Sequence, residues 1–253
     1  MYTKESPIAV FDSGVGGISV LRELVRLMPN ENYLYYGDSA NAPYGDKTTE
    51  QVRQLTLDAA QMLVQRGVKA LVVACNTATA AAITLLRERY PELVVIGIEP
   101  ALKLAADRFP KGRIGVMATQ VTLREEKFAH QAERFPEVSI DLIPAPGLVE
   151  RIEAEENPRP LLETLLLPYK GKLDALVLGC THYPFVAPII GEILGEETLL
   201  LDGGEGTARQ TQRCLEARSL LNPGPGSVRV ENSSQDPERL HRAMGLLYQE
   251  DAQ

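Results

Sequence analysis

The chain has 253 residues, 44% of them hydrophobic and 24% charged, an ordinary globular balance that excludes disordered, collagen-like and fibrous readings. Its 26 basic and 34 acidic residues give a formal net charge of −8, and the basic residues neither cluster nor alternate with aromatics, so a nucleic-acid footprint is not expected. No window approaches 18 continuous apolar residues, and the charged N-terminus precedes only a very short apolar run; neither a membrane span nor an export signal is expected, and the cytoplasm is the expected compartment.

In chain order, short apolar runs alternate with stretches of helical spacing. The strand candidates are "PIAVFD", "NYLYYGD", "ALVVAC", "LVVIGI", "RIGVMAT", "SIDLIPA", "ALVLGC" and "TLLLD". Between them, segments such as "VGGISVLRELVRLMP" and "TTEQVRQLTLDAAQMLVQRG" place apolar residues at intervals of three and four. The pattern predicts an α/β fold with mainly parallel, buried strands, in which ligands bind beyond the carboxyl ends of the strands. "DSGVGG" follows a strand and opens a helix, "GDSANAPYGDKT" reads as a polar loop, and "PGLVERIEAEENPRP" ends in a proline-rich break. The tail "LLNPGPGSVRVENSSQDPERLHRAM" reads as a surface connection, a strand and an Asp-Pro-Glu helix start, with nothing that suggests chemistry.

An internal repeat runs through this order. "ALVVACNT" and "ALVLGCTH" align without gaps, their cysteines at 75 and 180 being 105 positions apart. "IAVFDSGVG" and "IGVMATQVT", starting at 8 and 114, are both strand-to-turn segments 106 apart. Two pairs at nearly one offset predict two similar half-molecules, which can pack face to face.

A chain of this length buries roughly 70 to 75% of its unfolded surface, so stability does not require its cysteines. Three of them, an odd number, point to free thiols in a reducing compartment. Either Cys75 or Cys180 alone reads more naturally as a small core residue, but the matched pair with polar followers argues for chemistry. On opposite walls of a cleft, one thiol could remove a proton from a tetrahedral carbon while the other returns one to the opposite face. A helix N-terminus after each cysteine, opened by Asn76-Thr77 or Thr181-His182, would lower the thiol pKa.

The rival chemistries fit less well. No Cys-x-x-Cys occurs and the histidines do not fall at ligand spacing, so no metal site is expected. A Cys180–His182 nucleophile would leave Cys75 unexplained. "FDSGVGGISV" lacks the lysine of a phosphate loop and the spacing of a dinucleotide fingerprint; what remains is a helix start with the Asp12-Ser13 pair. Tyr44 and Gly45 follow a proline, where backbone amides could hold a carboxylate. Cys214, within an amphipathic helical pattern, reads as inert packing.

Taken together, "VFDSGVGG", "GDSANAPYG", "VACNTAT" and "LGCTHYP", in this order over nearly the whole chain, resemble the cofactor-independent glutamate racemases. The resemblance implies interconversion of L- and D-glutamate for peptidoglycan synthesis, with no pyridoxal phosphate, flavin, nucleotide or metal. It implies two pseudo-symmetric lobes, one from residues 1–98 and 208–253 and a second from 99–207, with the active site in the cleft between them. Cys75 and Cys180 fall at the family's two acid/base positions, the first usually acting on D-glutamate and the second on L-glutamate. Asp12 matches the acidic neighbour of the first cysteine, and His182 with Glu153 the polar partners of the second. Ser13, Tyr44, Gly45, Asn76, Thr77, Thr119 and Thr181 fall at substrate-contact positions, with Thr122 close by. Val121, Glu125 and Phe128 depart from the family pattern. Members vary in dimer arrangement, so a homodimer is among the expectations. The alternatives are an aspartate or other acidic amino-acid racemase of the same superfamily, or a non-catalytic binding protein for an acidic amino acid.

Overall fold

The computed structural model describes residues 2–98, 101–124, 133–234 and 236–248; Glu125 and Phe128 lie outside them. The strands are β1 (Ile8–Asp12), β2 (Asn32–Gly37), β3 (Ala70–Val73), β4 (Val94–Gly97), β5 (Arg113–Ala118), β6 (Ser139–Pro144), β7 (Ala175–Gly179), β8 (Leu199–Asp202) and β9 (Ser227–Asn232). The described helices are α1 (Ile18–Leu27), α2 (Thr49–Gln65), α3 (Asn76–Arg89), α4 (Leu102–Arg108), α5 (Gln120–Arg124), α6 (Leu148–Glu153), α7 (Arg159–Leu166), α8 (Ala187–Leu194), α9 (Gly204–Ala217) and α10 (Pro237–Tyr248). None of them is long and apolar enough to cross a membrane.

Two sheets result, ordered β4-β3-β1-β2-β9 and β6-β5-β7-β8, with every pairing parallel. The repeat seen in the sequence is a repeat of strand register. Ile8 of β1 pairs with Ala70 of β3, and Ile114 of β5 pairs with Ala175 of β7. Each strand that leads to a cysteine therefore lies beside the first strand of its own half, and the order β2-β1-β3-β4 recurs as β6-β5-β7-β8. The first sheet differs by one strand, β9, which returns from the tail to pair with β2.

Both central pairs are buried along the length over which they pair, as a parallel sheet covered on both faces demands. Alternation then splits β1: Ile8 and Val10 join the core under α1, α9 and α10, while Ala9 and Phe11 join the core under α2 and α3. In the second sheet, Met117, Leu176 and Leu178 pack with α6, α7 and α8, and Val116 and Val177 pack with α4. Local signals set the helix starts. Thr48 and Gln51 form a reciprocal capping box before α2, and Cys75 caps α3, its Sγ accepting from the Ala78 N–H at 3.4 Å.

The helix expected directly after Cys180 does not start there. A 3-10 turn, Tyr183–Val186, intervenes before α8. Pro184 and Pro188 explain the delay: a proline is tolerated in the first turn of a helix but cannot donate inside one, so the chain starts twice.

A buried ion pair joins the ends of the first half. Lys69 Nζ lies 2.5 Å from Glu31, with both side chains almost wholly buried. It also donates to the backbone carbonyls of Lys4 and Leu220, while Glu31 accepts from the Asn222 N–H at 2.8 Å. Lys69→Met is expected to cost about 3–5 kcal/mol, because it leaves the Glu31 carboxylate buried without its cation. Urea unfolding followed by far-ultraviolet circular dichroism checks this; a midpoint unchanged from that of the parent protein would refute it.

Candidate active site

The residues named from the sequence converge at the carboxyl ends of the central strands, where a parallel sheet exposes free backbone groups and binds ligands. Asp12 ends β1, Cys75 follows β3, Thr119 follows β5, and Cys180 follows β7. A cavity of about 130 Å³ lies between the two sheets at this level. Ser13, Tyr44, Gly45, Cys75, Asn76 and Thr77 line it from the first half. Thr119, Glu153, Cys180, Thr181 and His182 line it from the second. Its size suits a small molecule. Asp12 and Thr122 lie behind the lining: Asp12 Oδ2 accepts from Thr181 Oγ1 at 3.1 Å, and the Thr122 hydroxyl sits 3.0 Å from that of Thr119 and 3.3 Å from that of Thr77.

The two thiols have different surroundings. Cys75 Sγ is 3.4 Å from Ser13 Oγ and is held at the N-terminus of α3. Cys180 Sγ is 3.8 Å from His182 Nδ1, and the opposite ring nitrogen, Nε2, is 2.9 Å from Glu153 Oε1. Sulfur, imidazole and carboxylate thus form a relay along the cavity wall.

Charge follows from these surroundings. Burial, reinforced by the Asp12 carboxylate, pushes the Cys75 thiol up to about 12, outweighing the hydrogen bonds from Ser13 and Ala78. The lowering expected from the helix N-terminus is therefore overturned at Cys75, because a dry site with a carboxylate beside it costs a thiolate more than the helix end returns. His182 behaves oppositely. Burial disfavours the imidazolium, yet the hydrogen bonds to Cys180 and Glu153 together raise it to about 10. Burial also raises Asp12, against the pull of His182 and the Gly14 N–H.

The glycines of "DSGVGG" have a specific use here. A Cβ on Gly14 would fall 2.3 Å from Glu153 Oε1, and one on Gly16 would fall 2.4 Å from His182 Nδ1. The first turn of one half packs so closely on the relay of the other that only a hydrogen fits. Ser19 Oγ adds a bond to the Thr181 carbonyl at 2.9 Å across the same seam.

Several lining residues carry no sequence signal of their own, among them Asp46, Gln120 and Val149. Glu150 also lines the cavity; its spacing of three from Glu153 on α6 is the one cue that could have found it. Cys214, half-buried on α9, accepts from Gln210 Nε2 at 3.3 Å and packs on the first core. The described residues hold no group of three His, Cys, Asp or Glu side chains arranged to bind a metal ion.

Comparison with known proteins gives a consistent picture. The sequence profile of the Asp/Glu/hydantoin racemase family matches residues 8–211. A glutamate racemase of Clostridium botulinum is 46% identical over 255 residues, covering 98% of this chain and 99% of that one. The crystal structure of glutamate racemase from Thermus thermophilus in complex with β-chloro-D-alanine superposes with a TM-score of 0.82 at 37% identity, over 98% of this chain and 94% of that one. That of Francisella tularensis glutamate racemase in complex with D-glutamate superposes with a TM-score of 0.84 at 27% identity, over 98% and 96%.

The raised His182 value makes stability depend on pH with a definite sign. Its folded value of about 10 lies above the ordinary 6.5, so the folded chain keeps a proton that the unfolded chain releases. This contribution is fully present below pH 6.5 and is lost as pH rises toward 10. The urea midpoint is expected to fall between pH 6.5 and about 8, and His182→Gln should flatten that slope. Equal slopes in the two proteins would count against the imidazolium.

Proposed function

The chain belongs to the Asp/Glu/hydantoin racemase family, and from that premise we propose that it interconverts L- and D-glutamate by transferring the Cα proton between two thiols. One lobe is drawn from residues 1–98 and 208–253 and the other from 99–207. The observation that carries the reading is the pair Cys75 and Cys180, each just beyond an equivalent strand of equivalent halves and both lining one cavity.

The different surroundings of the two thiols divide the work. With L-glutamate bound, Cys180 acts as the thiolate, its charge matched by the His182 imidazolium that Glu153 supports. It takes the Cα proton. Cys75, held as a thiol by burial and Asp12, delivers its own proton to the opposite face, giving D-glutamate and leaving a thiolate at Cys75 and a thiol at Cys180. The reverse reaction uses the roles exchanged, and proton exchange with solvent resets the pair.

The Cα proton beside a carboxylate is only weakly acidic, so the developing charge needs fixed dipoles in a dry site. Asn76 and Thr77 open the fourteen-residue helix α3, whose free N–H groups suit the substrate carboxylate. Asn76 Oδ1 is buried and has no hydrogen-bond partner among the described residues. Leaving such an atom unsatisfied costs about 1–3 kcal/mol, which a polar substrate group would recover. Ser13, Thr119, Thr181, Tyr44 and Gly45 complete the wall, with the Tyr44 hydroxyl donating to Asp38 at 2.7 Å and so fixing the loop that carries Gly45. The chemistry draws on no cofactor and no metal. The enzyme works in the cytoplasm, supplying D-glutamate for peptidoglycan.

Incubating the protein with L-glutamate or L-aspartate, each without cofactor, and following circular dichroism tests the reading. The glutamate signal is expected to decay to zero, with one solvent deuterium entering Cα of the product, while aspartate changes far more slowly. Cys75→Ser and Cys180→Ser should each lower the rate at least about 1,000-fold, since a serine hydroxyl is a poor acid and base at this pH. Racemisation at the parental rate without either thiol would sink the mechanism, and faster decay with aspartate would move the substrate to that amino acid.

A further inference from the structure

The Glu153 carboxylate that supports His182 stands on a short helix whose end is held from the other half of the molecule. Helix α6 has six residues and closes at Ala154, with Glu155 in the left-handed region at φ 57°. A helix end leaves its last carbonyls without intrahelical partners. Here the Arg242 guanidinium, on α10, donates one N–H to the Ile152 carbonyl and another to the Glu153 carbonyl. Its Nε lies 3.6 Å from Glu155, and its side chain is 19% exposed. The neighbouring Ala243 and, one turn on, Leu247 are buried in the core beneath the first sheet, so the guanidinium is anchored in the half that carries Cys75. Two donors in a rigid fork fix the direction of a helix end in a way that a single donor does not, and a cation at that end also suits the helix dipole.

We propose that Arg242 is a positioning residue for the Cys180–His182–Glu153 relay: by clamping the last two carbonyls of α6, it sets the point from which the Glu153 carboxylate reaches His182. The inference rests on the racemase reading for its kinetic consequence but not for its structural one. The titratable groups around the imidazole are Cys180 on its own segment, Asp12 at the end of β1 and Glu153 on α6, with the buried Tyr35 phenol of β2 held neutral nearby. Of these, only Glu153 is held by Arg242.

The test uses the full chain with Arg242→Ala and Arg242→Lys. Side-chain NMR of the three histidines follows the His182 titration, which does not depend on activity. In Arg242→Ala the His182 midpoint is expected to fall by about one unit or more, as its carboxylate partner drifts. The kcat for L-glutamate should fall about 10- to 100-fold with KM changed less than about twofold, because a displaced support group affects the proton transfer more than binding. Arg242→Lys, with its charge kept and its fork lost, should recover part of both. Unchanged titration and kcat in Arg242→Ala would overturn the proposal, and so would a lowered melting temperature with an unchanged His182 midpoint, which marks a mere brace. If Arg242→Ala does not fold, the Arg242→Lys titration decides in the same way. A shifted midpoint in a protein that does not racemise glutamate would uphold the clamp and refute the racemase reading.

Discussion

The site depends on a single constraint: ionisable groups taken out of water at the seam between two separately wound halves must each be met by hydrogen-bonding partners. Asp12 and His182 are almost wholly buried, and the Glu153 side chain is 15% exposed. An isolated charge there would cost several kcal/mol and would neutralise instead. Asp12 is met by Thr181 from the second half, and the relay from Cys180 through His182 to Glu153 is covered by the glycine turn of the first. The relay finds its partners within the second half, while Asp12 draws on the Gly14 N–H of its own half and the Thr181 hydroxyl of the other. Cleft and charge pattern are therefore consequences of the same packing.

The backbone is nearly symmetric, and the chemistry is not. Equivalent strands, in equivalent register, deliver a cysteine to each wall. One cysteine is followed at once by a long helix and faces a carboxylate, which favours the neutral thiol. The other is followed by a 3-10 turn, and its sulfur lies 3.8 Å from the imidazole of His182, just ahead of that turn. Two like groups in unlike surroundings are what the proposed proton transfer between two faces of a carbon draws on. The pseudo-symmetry supplies placement, and the broken symmetry supplies direction.

Much of this was legible in order along the chain. The apolar runs became buried parallel strands because such strands read as continuous hydrophobic stretches, and the two offsets became matching registers. Ser13, Asn76, Thr77 and Thr181 could be named because they sit within a few residues of a strand end. Asp12 was equally visible, but that it stands behind the cavity wall was not. The delayed helix after Cys180 turned on two prolines whose effect depends on where the first turn begins. Arg242 left no trace at all, since its partners lie about ninety residues away and a basic residue in an amphipathic tail looks like any other.

What the sequence determined by itself was the periodicity, the duplication and the arrival of a thiol at each of two strand ends, because these depend on neighbours in the chain. Which groups are charged, which are hidden and which hold one another were decided only by the tertiary structure. Desolvation and Coulomb interactions depend on distance in space, and Asp12 beside Thr181 or Arg242 beside Glu153 are neighbours only after both halves have folded and met.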